Sequence, residues 1–286
     1  MAGAIAAALA LPHAALAHEW QWGGKLDLTR GVANIEGAGG GGLATWALIT
    51  GNETVDGVGG EAGATYVSLP NYSVRDFGVG IGLFDRVEAT VSEASFDTGA
   101  TGAKLGLGRN FTFDQTIAGA KVRLVGDALY GQDSWLPQLA AGVQYKVNDQ
   151  NAVVHLVGAK SDQGVDYYVA ATKIFLNQSL LLNATVRETR ANQFGFLGFG
   201  GDRNGGYSAQ FEGSAAYLAT SKLALGLEYR TKPDNLGFAR EDNAYDLFAA
   251  YALTKNLSVT AAYVDLGDIA TFRRQHGAYI SLQAGF

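Results

Sequence analysis

Residues Leu223, Leu225, Leu227 and Tyr229 are apolar, whereas the interleaved Ala224, Gly226, Glu228 and Arg230 are small or charged. A period of two marks a strand with two chemically different faces. The alternation recurs along the chain. Val87, Ala89 and Val91 oppose Glu88, Thr90 and Ser92; Ala118, Ala120, Val122 and Leu124 oppose Gly119, Lys121 and Arg123. Leu139, Ala141, Val143, Tyr145 and Val147 oppose Ala140, Gly142, Gln144 and Lys146, and Leu180, Leu182, Ala184 and Val186 oppose Asn183, Thr185 and Arg187. Leu257, Val259, Ala261 and Tyr263 face away from Ser258, Thr260 and Ala262. Such segments run about nine to eleven residues, the length a tilted strand needs to cross a bilayer. In a soluble sandwich the polar face meets water, and Lys and Glu dominate it. Here that face is thick with Gly, Ala, Ser and Thr, with charges spaced singly, which suits an enclosed lumen. The apolar sets end on aromatics, as side chains do at a membrane interface.

Composition agrees with this reading. The chain carries 39 Gly, 13 Tyr and 14 Phe against 4 Pro and no Cys, so alternating β-structure is favoured over disorder or a disulfide scaffold. The net charge of −6, with no basic cluster larger than Arg273-Arg274, argues against nucleic acid as a partner. Near the start, "AGAIAAALALPHAALA" closes on Ala15-Leu16-Ala17, a small-x-small pattern. Residues 1–17 are therefore expected to be a cleaved signal peptide, leaving 18–286 as one domain. No later apolar run reaches the ~18 residues of a membrane helix.

The connections alternate in length. A tight series, "FDR" at 84–86, "FDQT" at 113–116, "NDQN" at 148–151, "LNQS" at 176–179, "ATSK" at 219–222 and "LTKN" at 253–256, interleaves with a longer one. The longer series is "DTGATG", "DALYGQDSW", "ANQFGFLGFGGDRNGG", "TKPDNLGFARED" and "DLGDIATFRRQHG". Together they predict an all-β fold, a transmembrane antiparallel meander closed into a barrel, with short periplasmic turns and longer external loops. Counting back from Phe286 gives about fourteen strands, including 103–112 and 152–161, with twelve or sixteen as alternatives. Residues 24–50 are either a first hairpin or a Gly-rich plug segment.

The terminal "AYISLQAGF" resembles the closing strand of bacterial outer-membrane proteins through Ile280, Leu282 and Phe286, although Tyr279 departs by one residue from the usual aromatic spacing. That resemblance implies the outer membrane as location, its lipid as surroundings and the barrel-assembly machinery as a partner. A closer likeness lies in "VANIEGAGGGGLATWALITG", "LGLGRNFTFDQTIAGAKVRLVGDALY", "DSWLPQLAAGVQYK", "NQFGFLGFGGDR", "YRTKPDNLGFARED" and "YVDLGDIATF". These stretches are similar to a Gram-negative envelope family catalogued only as a domain of unknown function. The likeness covers nearly the whole expected mature chain and implies fold and location but no activity.

Candidate sites follow from the alternation. Glu88, Lys121, Arg123, Lys146, His155, Arg187, Glu228, Arg230 and Asp246 are expected to point into the lumen. There they would either order water and filter solutes or pair with one another to close the barrel. The loop 191–206, with Phe194, Phe196, Phe199, Asp202 and Arg203, is expected to fold into the mouth as a constriction or to meet a partner. Gly37, Gly39 and Gly42 satisfy G-x-G-x-x-G, but no strand–helix context completes a nucleotide site, and a tight turn or backbone packed on the barrel wall is expected instead. His18, His155 and His276 come with no nucleophile motif and no second ligand pair, so neither catalytic nor metal residues nor any cofactor is expected. The leading expectation is a porin-like channel for small polar or charged solutes. A non-conducting scaffold whose external loops bind an envelope protein or a second copy is the alternative; a carrier of apolar compounds and an outer-membrane hydrolase rank lower.

Overall fold

The structure is a computed structural model describing residues 24–30 and 32–286. The expected signal peptide and His18 lie outside the described residues. Two short strands, β1 (Val32–Ala33) and β2 (Gly39–Gly40), pair with each other and with no barrel strand. The barrel follows: β3 (Val58–Ser68), β4 (Ser73–Leu83), β5 (Val87–Asp97), β6 (Thr112–Val125), β7 (Gln138–Asn148) and β8 (Gln163–Phe175). It continues through β9 (Leu180–Thr189), β10 (Ser208–Leu218), β11 (Leu223–Arg230), β12 (Ala244–Ala252), β13 (Leu257–Asp265) and β14 (His276–Gly285). Each barrel strand pairs antiparallel with its sequence neighbour, and β14 closes on β3 from Ala278↔Ser68 to Gly285↔Glu61.

The barrel therefore has twelve strands, not about fourteen. Of the two surplus segments, 103–112 begins inside helix α1 (Gly99–Lys104) and then turns through Gly106 and Gly108, whose φ values of +78° and +98° are incompatible with a strand. The other, 152–161, falls on helix α2 (Asn151–Leu156). An apolar run this short fits either period, and Val154 is buried by helical packing rather than by alternation. The "FDQT" segment lies within β6, and "NDQN" opens the loop that carries α2. The loop at 126–137 shares a rim with the tight turns at 84–86, 176–179, 219–222 and 253–256. That rim is thus not uniformly short, and the remaining connections gather at the opposite, long-loop rim.

The outer wall is an apolar band between two aromatic belts. Val79, Val91, Val169, Leu225, Leu227, Leu247, Ile280 and Leu282 are exposed around its middle. Tyr167, Phe211, Tyr229, Tyr245 and Tyr263 ring the long-loop side, while Phe84, Tyr217, Tyr251 and Phe286 ring the short-turn side.

The hydrophobic core lies inside the barrel. Residues 33–53 are buried without exception. Ile35 and Leu43 pack with Val67, Val74, Val264 and Tyr279 of the wall and with Phe194 and Phe196 of the loop after β9. Ala44, Trp46 and Leu48 pack with Ile174, Leu181 and Ala216. The glycine run permits this fit: a Cβ on Gly40 would sit 2.2 Å from the Ala44 carbonyl, and one on Gly41 would sit 1.8 Å from Glu228 Oε1. Segment 33–53 is a plug, threaded into the lumen from the short-turn rim.

Candidate functional site

The inward positions of the strands and the main chain of the plug form one hydrogen-bonded interface. Glu36, a plug residue, is at its centre. Arg230 Nη1 lies 2.7 Å from Glu36 Oε2, Lys146 Nζ donates to Glu36 Oε1, and Arg187 Nη2 is 3.7 Å away. Arg187, fully buried on β9, also meets Glu212 at 2.5 Å and Asp166 at 3.4 Å, and it donates to Thr45 Oγ1 at 2.8 Å. Its guanidinium stacks 5.0 Å from the Tyr168 ring. Lys146 pairs with Asp166 at 2.6 Å. Each cation is thus shared by at least two anions, the arrangement that offsets the desolvation cost of a buried charge.

Wall carboxylates are spent on the plug's main chain. Glu228 Oε2 accepts from the Leu43 N–H at 2.7 Å, and Glu212 Oε2 from the Thr45 N–H at 2.7 Å. Glu88 accepts from Gly39 and Thr50 N–H at 3.1 and 2.9 Å and pairs with Lys121 at 2.9 Å. Lys121 Nζ in turn donates to the carbonyls of Gly39 and Leu48. Thr172 and Gln138 hold the N–H and carbonyl of Ala47, while Asn183 and Thr185 donate to the Thr45 carbonyl. Beyond the bonds of β1, β2 and its own turns, the plug has its main-chain groups satisfied by side chains of the barrel.

Of the residues expected in the lumen, Glu88, Lys121, Lys146, Arg187, Glu228, Arg230 and Asp246 are there and buried. Two are not. Arg123 lies at the short-turn rim, where β6 bulges, and is tied to Asp85 and Asp127. His155 is exposed on α2, its Nδ1 bonded to the Ala159 carbonyl, because the run that carries it is helical. His276 lies against Tyr263 on the outer rim, the two rings tilted and 5.9 Å apart. Among the described residues no three His, Asp or Glu side chains converge as metal ligands. The glycines of "GAGGGG" belong to the plug's turns, with no helix following them.

The loop after β9 closes the long-loop end. Phe194, Phe196 and Phe199 are all buried, and Phe194 lies beneath the Arg230 guanidinium at 4.6 Å. Asp202 and Arg203 are exposed and join this loop to the next: the Gly237 N–H donates to Asp202 at 2.6 Å, and Arg203 pairs with Asp234 at 3.0 Å. Beneath them Lys232 and Glu241 form a buried pair at 3.3 Å, with the Gln193 N–H donating to Glu241 at 2.8 Å. Burial pushes the Glu241 carboxyl up to about 7, against the opposing pull of Lys232. At the short-turn end the closing strand is bound to the plug. Ala33 bonds both Glu61 of β3 and Gln283 of β14, and the Asn52 N–H donates to the Phe286 carbonyl at 3.1 Å. Ile280, Leu282 and Phe286 face outward.

Sequence reading missed Glu36, Asp166 and Glu212. The last two alternate inward on β8 and β10 and were readable from the period of their strands. Glu36 stands in a segment with no period, so nothing local distinguishes it.

The solved structures that resemble this chain are barrels. The KdgM porin, in complex with disordered oligogalacturonate, aligns with a TM-score of 0.51 at 9% identity, covering 79% of this chain and 99% of that one. The NanC porin aligns at 0.45 and 10% identity, covering 80% and 97%, and the COG4313 outer membrane channel from Pseudomonas putida F1 at 0.44 and 14%, covering 80% and 94%. These likenesses concern the fold. No curated protein matches the chain. Residues 29–283 match the family described as protein of unknown function (DUF3034), and the chain belongs to that family.

Proposed function

We propose that this protein is an outer-membrane, porin-like barrel whose lumen is closed at rest by its own plug and which passes small polar or charged solutes when the plug is displaced. The apolar outer band and its two aromatic belts support the membrane location. In that setting the short-turn rim faces the periplasm, and the outward Ile280 and Leu282 of β14, with Phe286 beyond it, are what the assembly machinery reads.

One observation carries the gated reading: the polar groups of the plug meet acidic and basic side chains of the wall, Glu88, Lys121, Lys146, Glu212, Glu228 and Arg230. Buried ion pairs add little stability over apolar packing of the same volume, so a barrel built only to stay shut is better filled with hydrocarbon. A charged wall, by contrast, is stable when wet. With the plug withdrawn, Lys121, Lys146, Arg187 and Arg230 would line the water beside their wall partners Glu88, Asp166 and Glu212, with Glu228 and Asp246 on β11 and β12, a lining that selects by charge.

The test is conductance in planar bilayers. Wild-type protein is expected to be silent, and variants that weaken the plug without unfolding the barrel are expected to conduct. Folded, plug-weakened variants that never conduct would replace this reading with a permanently closed scaffold, a reading favoured by the two hydrophobic clusters that unite plug and wall. In neither reading does the protein act as an enzyme.

A further inference from the structure

The carboxylates of the lumen are not all matched by cations. Glu36, Glu88, Asp166 and Glu212 have basic partners, but Glu228 and Asp246, in register on β11 and β12, have none within ion-pair distance. Both are about 1% exposed. Glu228 accepts hydrogen bonds from Leu43, Ala44 and Ser214. Asp246 has no hydrogen-bond partner on either oxygen. Two adjacent, buried carboxylates without a counter-charge are a severe electrostatic cost.

A third group faces the same place. The Tyr279 hydroxyl, from β14, is also buried and without a partner. On the plug side stands Gly42. The position its missing Cβ would take lies 3.2 Å from Asp246 Oδ2, 3.4 Å from the hydroxyl-bearing carbon of Tyr279 and 3.6 Å from Glu228 Oε2. The glycine therefore leaves a cradle bounded by two carboxylates and a phenol, all oxygen ligands.

We infer that Glu228 and Asp246, with Tyr279 and the Gly42 turn, form a binding site for one divalent hard cation of the calcium class. Two carboxylates balance a 2+ charge. An irregular, all-oxygen set drawn from three strands suits the flexible coordination of Ca²⁺ better than the strict octahedron of Mg²⁺. The bound ion would pin the Gly42–Leu43 turn to β11 and β12, which adds to the Glu228–Leu43 bond already there. The inference concerns binding and stability and holds whether or not the plug moves.

The experiment is equilibrium dialysis of purified, folded full chain, stripped with chelator, against radioactive Ca²⁺, paired with thermal melts. We expect about one Ca²⁺ per chain and a melting temperature raised by Ca²⁺. Asp246→Asn should weaken binding at least tenfold, Tyr279→Phe should weaken it less, and Asp133→Asn, in an exposed loop, should leave it unchanged. Heat-modifiable migration of each variant checks folding; if Asp246→Asn does not fold, wild-type stoichiometry and Tyr279→Phe decide. Wild type without saturable Ca²⁺ binding, or Asp246→Asn that binds as wild type does, overturns the site. Acid stabilisation without a Ca²⁺ effect, abolished by Asp246→Asn, also overturns it and assigns a shared proton to the pair.

Discussion

Arg230 and Glu36 lie 2.7 Å apart, an ion pair that joins strand β11 to the segment the barrel encloses. The same carboxylate is approached by Lys146 and Arg187, so one plug side chain neutralises wall cations from three strands. Glu36→Gln keeps the shape but leaves these buried cations short of an anion. Breaking such a network costs about 3–5 kcal/mol. A urea midpoint lowered accordingly, with brief conducting events in bilayers, is the expected outcome.

The cap is expected to be an apolar latch. Phe199, at 0% exposure, bridges main chain to Ala191 and Ser161 and fills the space above Gly164. Phe199→Ala should cost about 3–5 kcal/mol of local stability. Limited proteolysis should then cleave within 190–207 while the barrel strands stay intact.

The long-loop end should be tighter in mild acid. Glu241 is raised to about 7 from an ordinary value of 4.5, so the folded loop holds a proton that the opened loop releases between those values. Stability is therefore greatest below about pH 4.5, falls as pH rises toward 7, and is flat above. Amide exchange at Gln193 and across 231–243 should be slower at pH 5 than at pH 7.5, after correction for intrinsic rates. Glu241→Gln should remove that difference.

The seam between the first and last barrel strands should depend on the plug. Gln283 Nε2 donates to the Ala33 carbonyl and its Oε1 accepts from the Ala33 N–H, both at 3.3 Å. Gln283→Ala strands the Ala33 carbonyl in the lumen, at a cost of about 1–3 kcal/mol. Amide protection should fall first at the β14–β3 pairing.

Most of the barrel was legible because its wall has one wet or polar side and one apolar side, and side-chain alternation records that directly. All twelve barrel strands follow from it, as Leu225 and Glu228 of β11 illustrate. The count failed at α1 and α2, where runs of six residues are too short for one period to exclude the other. The site was half legible. Lys146, Arg187 and Arg230 stood out as inward charges, but their partner Glu36 did not, because a plug folded by the groups around it carries no period of its own. The difference between a water-filled lumen and an occupied one therefore lay in residues 33–53, whose glycines announce a close approach without naming what they approach.

The most direct test compares single-channel conductance of wild type with Gly40→Val, whose side chain would collide with the Ala44 carbonyl and Thr45 main chain and force the plug from its turn. Wild type is expected to be silent and the folded variant to show discrete steps. Steps of equal size and frequency from both proteins would contradict the gated reading.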